Sequence, residues 1–330
     1  MKKILNEPSA YVDEMLGGLC VAFPSDYQLI GGRVLARKGG AVKGKVGIVT
    51  GGGSGHLPVF LGYVGQGLLD ACAVGNVFAG PRVADCVSAI RAADGGAGVL
   101  TLYGNYGGDR MNFDMALEQL ESAALPLSSV RISDDVASAA IAERDKRRGV
   151  AGMVLVFKVA GACAQAGGTL QQVTAVAQKA VDACRSIGVA LTPCVVPESG
   201  RASFAIDELE IEFGMGIHGE PGIWRGSVKT ADDLTDEMLD LLLPELNLSK
   251  GDSTAVLVNS LGATPHEELF IVYRRVAQVL GQLGIRAVMP LIGRYATSME
   301  MAGFSLSLMP LDAELEGLLQ APADCPFWKV

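Results

Sequence analysis

The sequence predicts an α/β protein with two α/β domains, and three observations support that prediction. The chain has 330 residues, which is more than one domain of about 100–200 residues. Hydrophobic residues make up 49% and charged residues 19%, so there is enough apolar material for a large core. The chain contains 42 glycines, and aromatic residues make up only 6%, which favours a layered protein with many tight turns. Short apolar runs also alternate with glycine turns and helical stretches along the sequence.

The first domain is predicted to span residues 1–185 and to hold a largely parallel sheet flanked by helices. Its apolar runs lack polar alternation, which is typical of strands covered on both faces. These predicted strands lie within 46–50, 71–74, 98–103 and 150–157, and the predicted helices cover 81–93, the stretch after 109, and 170–185. Parallel sheets bind ligands at the loops that follow the carboxyl ends of their strands.

The second domain is predicted to span residues 190–330 and to hold a smaller mixed or antiparallel sheet with helices. The composition changes near 193–199, and after it Leu209, Ile211 and Phe213 alternate with glutamates, which indicates a half-exposed strand. Further strands are predicted over 254–259 and 303–308, and helices over 231–243 and 265–283.

Charge, hydropathy and cysteine content exclude several classes of protein. A net charge of -9 repels a phosphate backbone, so we expect no nucleic-acid binding. The most apolar stretch, 150–166, is interrupted by Lys158 and is too short to span a bilayer, so we expect no membrane span. The seven cysteines form no CxxC pair, so we interpret them as buried apolar residues of a cytoplasmic protein and predict no metal site.

Two of the three histidines lie in glycine-rich loops. His56 ends the segment GGGSGH, and His218 lies within GMGIHGEPG. An imidazole can act as base, acid or nucleophile near neutral pH, and glycines expose backbone N–H donors to a ligand. The alternative is a histidine that only caps the backbone of a turn.

Asp109 follows another glycine-rich loop, at the point where a helix is predicted to begin. The residue pattern favours an N-cap, which Asp performs well. The alternative is a carboxylate that takes a proton from a substrate hydroxyl. One residue can do both.

Two nucleotide-binding patterns occur in the wrong context. Residues 39–45 fit GxxxxGK, but Val46 replaces the Ser or Thr that would bind Mg²⁺. Residues 214–219 fit GxGxxG, but Glu-Pro-Gly follows where a helix should begin. We therefore predict no cofactor on this chain, and an oxidoreductase that binds a dinucleotide is disfavoured.

Several segments together resemble the substrate-binding K subunit of dihydroxyacetone kinases over nearly the whole chain. The matching segments are GGGSGH (51–56), NYGGDRMNF (105–113), RRGVAGMVLVFKVAGA (147–162), GMGIHGEPG (214–222), NSLGATPHEEL (259–269) and TSMEMAGFSLSLM (297–309). The first, second and fourth segments contain His56, Asp109 and His218 respectively. The resemblance implies a phosphotransferase with an alcohol acceptor.

The resemblance also implies a role for each site residue. His218 is implied to add to a ketone carbonyl and form a covalent hemiaminal. His56 and Asp109 are implied to hydrogen-bond the ketose and to help deprotonate the hydroxyl that is phosphorylated. The implied substrate-binding residues are Gly53, Ser54, Gly55 and Gly104.

Partner chains are implied as well. In this family a separate L subunit carries ATP or ADP with Mg²⁺, and the K subunit is a homodimer. A phosphotransferase-type M subunit recharges the nucleotide from phosphoenolpyruvate in many bacteria, whereas ATP is used directly in others. The sequence leaves the phosphoryl donor open.

Two residues depart from the family pattern and leave the substrate open. Leu57 stands where the family usually has Glu, and Gly104 stands where a Lys usually precedes Asn-Tyr. Loss of that lysine is expected to leave space, so a C4 ketose such as erythrulose is an alternative to dihydroxyacetone. A non-catalytic ketose-binding regulator is a second alternative, although the retained His56 and Asp109 favour catalysis.

Overall fold

The computed structural model describes residues 2–123 and 125–330, which form two six-stranded sheets and three layers of helices. The helices are α1 (Tyr11–Ala22), α2 (Val83–Ala93), α3 (Gly107–Leu120), α4 (Met153–Gln165), α5 (Leu170–Ala183), α6 (Ala231–Leu242), α7 (His266–Leu283) and α8 (Ala313–Gln320). The strands are β1 (Tyr27–Leu29), β2 (Val34–Arg37), β3 (Gly47–Ser54), β4 (Ala71–Val77), β5 (Val99–Gly104), β6 (Leu127–Ile132), β7 (Arg185–Ala190), β8 (Glu210–Phe213), β9 (Trp224–Ser227), β10 (Ser253–Ser260), β11 (Arg286–Gly293), β12 (Gly303–Leu311), β13 (Asp324–Cys325) and β14 (Trp328–Lys329).

The first sheet is largely parallel, as the sequence predicts. Its strand order is β1-β2-β4-β3-β5-β6, in which the last four strands run parallel and β1 and β2 are antiparallel additions. Every residue of β3 and β5 is buried, because helices cover both faces of the sheet. The carboxyl ends of β3, β4 and β5 therefore meet at one edge of the sheet.

The second sheet is mixed, as predicted. Its order is β11-β10-β12-β7-β8-β9, and only β10 and β11 are parallel. It has as many strands as the first sheet, so it is not smaller in strand number. A two-stranded hairpin of β13 and β14 completes the chain and joins the first half through an antiparallel bridge between Gln66 and Asp324.

The two sheets share one layer of helices. Helix α5 contacts β5 and β6 of the first sheet and β12 of the second, and α4 packs against α5 and α8. The buried side chains of this layer form one continuous core with residues of both sheets, such as Leu102 and Leu257. Helices α2 and α3 cover the outer face of the first sheet, and α6 and α7 that of the second. The predicted division into residues 1–185 and 190–330 stays a prediction.

One predicted strand is a helix. The buried run 150–157 turns at its first residues and then enters α4, in which even Lys158 is buried. A helix that is apolar on all sides has no amphipathic period, so its sequence resembles that of a buried strand. The helix predicted over 170–185 ends at Ala183, and Arg185 already belongs to β7.

No helix in the part of the chain that the structure describes is long and apolar enough to cross a bilayer.

Candidate active site

The first wall of the candidate site is the end of β3. The sequence predicts a loop after Thr50, but the strand continues through Ser54. Its glycines are required because a Cβ atom at Gly53 would lie 2.7 Å from the backbone nitrogen of Ala79. The Ser54 hydroxyl donates to the Gly75 carbonyl at 2.8 Å, so this side chain secures the neighbouring strand.

His56 follows this strand end and is 1% exposed. Its Nδ1 lies 2.7 Å from the carbonyl oxygen of Thr297. Because a carbonyl can only accept, Nδ1 carries the ring proton and Nε2 carries the lone pair. That buried Nε2 has no hydrogen-bond partner among the described residues. Burial, assisted by the charge of His218, lowers the pKa of His56 to about 3, so the ring is neutral near pH 7.

The segment 297–299 connects the two histidine loops. The N–H groups of its first and last residues donate to the carbonyls of His56 at 3.2 Å and Gly55 at 2.7 Å. The hydroxyl of Ser298 donates to the carbonyl of Ile217 in the second loop. Gly55 has a φ of +100°, a conformation that favours glycine. The segment lies within a motif that carries the family resemblance, and its role is to hold the loops together.

The second wall is the connection 214–222 between β8 and β9, which carries His218. The loop folds back on itself because two groups of His218 meet the carboxylate of Glu220. The backbone N–H donates to Oε2 at 2.9 Å, and Nδ1 lies 2.9 Å from Oε1. A Cβ atom at Gly216 would lie 2.3 Å from Glu220 Oε2, so only glycine leaves room for this fold.

Glu220 determines which nitrogen of His218 is free. Burial alone would raise the pKa of Glu220, but the hydrogen bond from His218 and the charges of His218 and Arg148 lower it to about 2. Glu220 is therefore an ionised carboxylate that only accepts, so Nδ1 of His218 carries the proton. The lone pair of Nε2 is then available to an electrophile.

Aromatic rings surround the two imidazoles. The ring centroids of His56 and His218 are 4.8 Å apart, with their planes at 78°. Phe78 stacks on His56 at 4.9 Å and lies 5.6 Å from His218. Tyr106 meets His218 edge-on at 4.6 Å, and its hydroxyl is fixed by donating to the Gly149 carbonyl at 2.9 Å. These contacts restrict the rotation of both imidazoles.

Asp109 lies in the first turn of α3 and is 7% exposed. The N-cap prediction is wrong, because Tyr106 occupies the cap position and no side chain caps the helix. Oδ1 of Asp109 is buried without a hydrogen-bond partner among the described residues. Burial raises the pKa of Asp109 to about 7, although the charge of His218 opposes the change. A carboxyl that titrates near neutral pH is suited to accept a proton.

Leu57 and Gly104, the two residues that depart from the family pattern, contribute no polar side chain to the site. The expected space at Gly104 is occupied, because a Cβ atom there would lie 3.1 Å from Met153 Sδ and 3.2 Å from the Tyr106 ring. Leu57 is half-buried against the core, and its carbonyl accepts from the Thr297 hydroxyl at 3.0 Å. The expectation that Gly104 leaves open space is therefore wrong.

The structure places the rings of His56 and His218 against each other, and Asp109 lies near enough to His218 for that histidine to affect the pKa of its carboxyl. Sequence reasoning missed the residues that hold them, which are Phe78, Tyr106, Glu220 and Thr297. Three of these lie inside the matching motifs, so asking which residue orients each imidazole could have found them. Nothing in the sequence around Phe78 marks it.

The site offers acid–base and nucleophilic groups. Within residues 2–123 and 125–330, no group of three or more His, Cys, Asp or Glu side chains could hold a metal ion. The imidazole of His218 can add to a carbonyl carbon through Nε2. The lone pair of His56 and the carboxyl of Asp109 can accept a hydroxyl proton.

The sequence matches the Dak1 domain family over residues 17–327. The dihydroxyacetone-binding subunit DhaK of PTS-dependent dihydroxyacetone kinase 2 from Listeria innocua is 43% identical over 332 residues, and the match covers 100% of both chains. The L-erythrulose kinase of Pectobacterium atrosepticum is 42% identical over 333 residues, but the chain spans only 56% of its length. The first is a subunit of a kinase and the second is a kinase, in agreement with the predicted phosphotransferase class.

Two solved structures have the same fold. The dihydroxyacetone kinase of C. freundii, also solved with AMP-PNP and Mg²⁺, has a TM-score of 0.90 at 32% identity, and the match covers 99% of this chain and 60% of that one. A dihydroxyacetone kinase operon co-activator has a TM-score of 0.89 at 30% identity, covering 96% of this chain and 97% of that one. The predicted family and fold class are confirmed.

Proposed function

Because the chain belongs to the Dak1 domain family, we propose that it is the substrate-binding subunit of a dihydroxyacetone kinase. It binds a small ketose covalently and presents a terminal hydroxyl to a phosphoryl donor on a partner chain. The observation that carries this proposal is the pairing of His218 with Glu220 beside the buried His56. That pairing leaves Nε2 of His218 free to attack a carbonyl, next to the ring of His56, whose Nε2 also carries a lone pair.

Capture of the ketose is an addition reaction. Nε2 of His218 attacks the ketone carbon, a C–N bond forms, and the π electrons move to the oxygen, which takes up a proton. In the net reaction one proton leaves Nδ1 of the imidazole and one is taken up by the oxygen, so Glu220 stays ionised and the hemiaminal nitrogen carries no charge. The hydrogen bond to Glu220 stabilises the positive charge that develops on the ring during the attack.

Transfer of the phosphoryl group needs an acceptor for the hydroxyl proton. Asp109 is suited to this role because burial raises its pKa to about 7, so the carboxylate is both present and basic near neutral pH. His56 is held neutral with Nε2 as a lone pair, and it can accept a hydrogen bond from the bound ketose. Covalent attachment holds the hydroxyl in a fixed position, which phosphoryl transfer requires.

Covalent capture also explains how such a small substrate is selected. A three-carbon ketose has few atoms, so ordinary contacts provide little affinity and poor rejection of glycerol. Glycerol has no carbonyl, so Nε2 of His218 cannot form the adduct with it. Selection then depends on chemical reactivity in addition to shape.

The phosphoryl donor is proposed to lie on partner chains. The match to the Listeria subunit along its full length supports a separate L subunit that carries ATP or ADP with Mg²⁺. Its PTS-dependent name supports recharging of that nucleotide from phosphoenolpyruvate through an M subunit. We further propose a cytoplasmic homodimer, as the family resemblance implies.

A C4 ketose is the second candidate substrate, because the L-erythrulose kinase of Pectobacterium is nearly as similar as the Listeria subunit. A ketose-binding regulator is a third candidate, since an operon co-activator shares the fold. His56 and Asp109, each with a buried unpartnered atom, favour catalysis over binding alone.

Reconstitution with an L subunit and either ATP or a phosphoenolpyruvate-charged M subunit tests these alternatives. We expect phosphorylated dihydroxyacetone by mass spectrometry, no product from glycerol, and much slower product formation by the Asp109→Asn variant. A higher kcat/KM for erythrulose than for dihydroxyacetone would favour the C4 candidate. Ketose binding without phosphorylation from either donor would favour the regulator.

A further inference from the structure

Arg148 lies directly behind the His218 loop. One guanidinium nitrogen is 3.9 Å from Oε2 of Glu220, and another donates to the Gly214 carbonyl at 3.4 Å. The side chain is 15% exposed, so these interactions are only partly screened by water. Arg148 therefore contacts both the first residue of the loop and the carboxylate that orients His218.

A buried aspartate holds Arg148 from its other side. Nε of Arg148 donates to Oδ2 of Asp135 at 2.9 Å, and a second guanidinium nitrogen lies 2.8 Å from the same oxygen. Asp135 is itself fixed, because its Oδ1 accepts from the backbone N–H of Ala137 at 3.0 Å. The guanidinium cannot turn away from Glu220 without breaking these bonds.

The loop leaves room for this arrangement at one residue. A Cβ atom at Gly216 would lie 2.8 Å from a guanidinium nitrogen of Arg148, as well as against Glu220. The glycine thus lets a cation and a carboxylate approach the backbone beside His218. The contacts form a chain that runs from Asp135 through Arg148 and Glu220 to Nδ1 of His218.

We propose that Arg148 is a positioning residue that keeps His218 in the tautomer with Nδ1 protonated, acting through Glu220. The use of that tautomer in ketose capture rests on the proposed function, whereas the tautomer itself does not. Arg148 holds Glu220 ionised and oriented, so the carboxylate keeps accepting from Nδ1. Without the guanidinium, Glu220 can rotate towards water, and the proton can move to Nε2, where it blocks attack on a carbonyl.

Histidine ¹⁵N NMR measures the tautomer directly in the ketose-free protein. The chain has only three histidines, so a His→Asn variant of each assigns all ring signals. The spectra are recorded at pH 8, where Asp135 is ionised, since burial raises its pKa to about 7. Wild-type His218 is expected to show a protonated Nδ1 and a bare Nε2.

In Arg148→Met we expect the fraction of His218 protonated at Nε2 to rise by about tenfold, because Glu220 loses the nearby cation that keeps it ionised and oriented towards Nδ1. Arg148→Lys keeps the charge and is expected to restore most of the wild-type signal. The matched control is Arg147→Lys, which weakens the neighbouring bidentate pair of Arg147 with Glu245. That variant is expected to lose stability and keep the tautomer of His218.

Unchanged His218 signals in a folded Arg148→Met protein would overturn the proposal. If that variant does not fold, Arg148→Gln removes the charge but keeps a donor for Asp135, and it provides the same test. Failure of both variants to fold would make Arg148 a structural residue and would also overturn the proposal. A tautomer shift in a protein that never binds ketose would instead refute the proposed function.

Discussion

The two walls of the site differ in how their polar atoms are satisfied. On the first-sheet wall, His56 and Asp109 each leave a buried atom without a hydrogen-bond partner among the described residues. On the second-sheet wall, His218 donates from its ring nitrogen Nδ1 and its backbone N–H to one carboxylate, that of Glu220. One wall retains buried polar atoms without partners, and the other holds an imidazole whose orientation is fixed by hydrogen bonds.

This difference separates two tasks that a single environment could not perform. Burial raises the pKa of Asp109 to about 7, whereas hydrogen bonding and neighbouring charges lower that of Glu220 to about 2. The first carboxyl can therefore exchange a proton near neutral pH, and the second remains an ionised acceptor. Such a divergence of two pKa values in one site marks a division between proton transfer and orientation.

The largest expected effect comes from removing His218, the proposed nucleophile. His218→Ala is expected to lower kcat/KM for dihydroxyacetone by about 10³-fold or more, because capture and positioning are lost together. The kinetics are measured in the reconstituted system, with glycerol as a second substrate. His266→Ala is the matched control, since His266 is exposed at the start of α7. Equal losses in the two variants would contradict the role of His218.

The next largest effect is expected for Asp109→Asn, which separates capture of the ketose from transfer of the phosphoryl group. Asp109→Asn is expected to keep the ketose adduct and to lower the rate of transfer by about 10²–10⁴-fold, the usual contribution of a general base. Single-turnover kinetics with the charged partner measure this rate. Loss of the adduct in this variant would show that Asp109 serves capture instead.

The same substitution is expected to stabilise the fold above neutral pH. A raised pKa means that the folded protein prefers the neutral carboxyl, so stability is full below about pH 4 and is lost as pH rises through about 7. At pH 8, Asp109→Asn is expected to raise the free energy of unfolding by up to about 4 kcal/mol, with no gain near pH 4. Urea unfolding at the two pH values measures the difference.

The pH dependence of the phosphoryl-transfer rate distinguishes the carboxyl of Asp109 from that of Glu220. Because Asp109 must be ionised to accept a proton, the rate is expected to rise about tenfold per pH unit below its pKa of about 7 and then level off. Glu220 and His56 titrate too low to contribute between pH 5 and 8. Asp135 also has a pKa of about 7, so a rising limb that persists in Asp109→Asn would assign it to Asp135.

The smallest expected effect is at Gly104. A Cβ atom there would lie 3.1–3.3 Å from Met153 Sδ and the Tyr106 ring, so Gly104→Ala must displace one of them slightly. We expect KM for dihydroxyacetone to rise by about threefold, because Tyr106 packs against His218 and cores respond to added methyl groups. An unchanged KM would mean that the Tyr106 ring does not limit the ketose site.

Sequence patterns predicted the parts of the molecule whose physics is local or periodic. The parallel strands β3 and β5 were predictable because they are buried on both faces and read as continuous apolar runs. The candidate histidines were predictable because the chain has only three histidines and two of them, His56 and His218, lie in glycine-rich segments. Motif resemblance then assigned the chemistry that the patterns alone left open.

The rest depends on contacts between residues distant in the chain. The carbonyl of Thr297 orients His56 from 241 positions away, and no local pattern encodes that distance. Helix α4 resembles a strand in sequence because it is buried on every side and lacks an amphipathic period. The N-cap prediction at Asp109 failed because the helix begins two residues earlier, which turns the carboxylate into the interior.

Carbon-13 NMR of dihydroxyacetone labelled at C2 tests the central claim, which is covalent capture by His218, most directly. The account predicts that saturating protein replaces the ketone signal with that of a tetrahedral carbon bonded to nitrogen. The new signal should persist in Asp109→Asn and disappear in His218→Ala. A protein that binds the ketose while its ketone signal remains, or an adduct that survives in His218→Ala, would contradict the account.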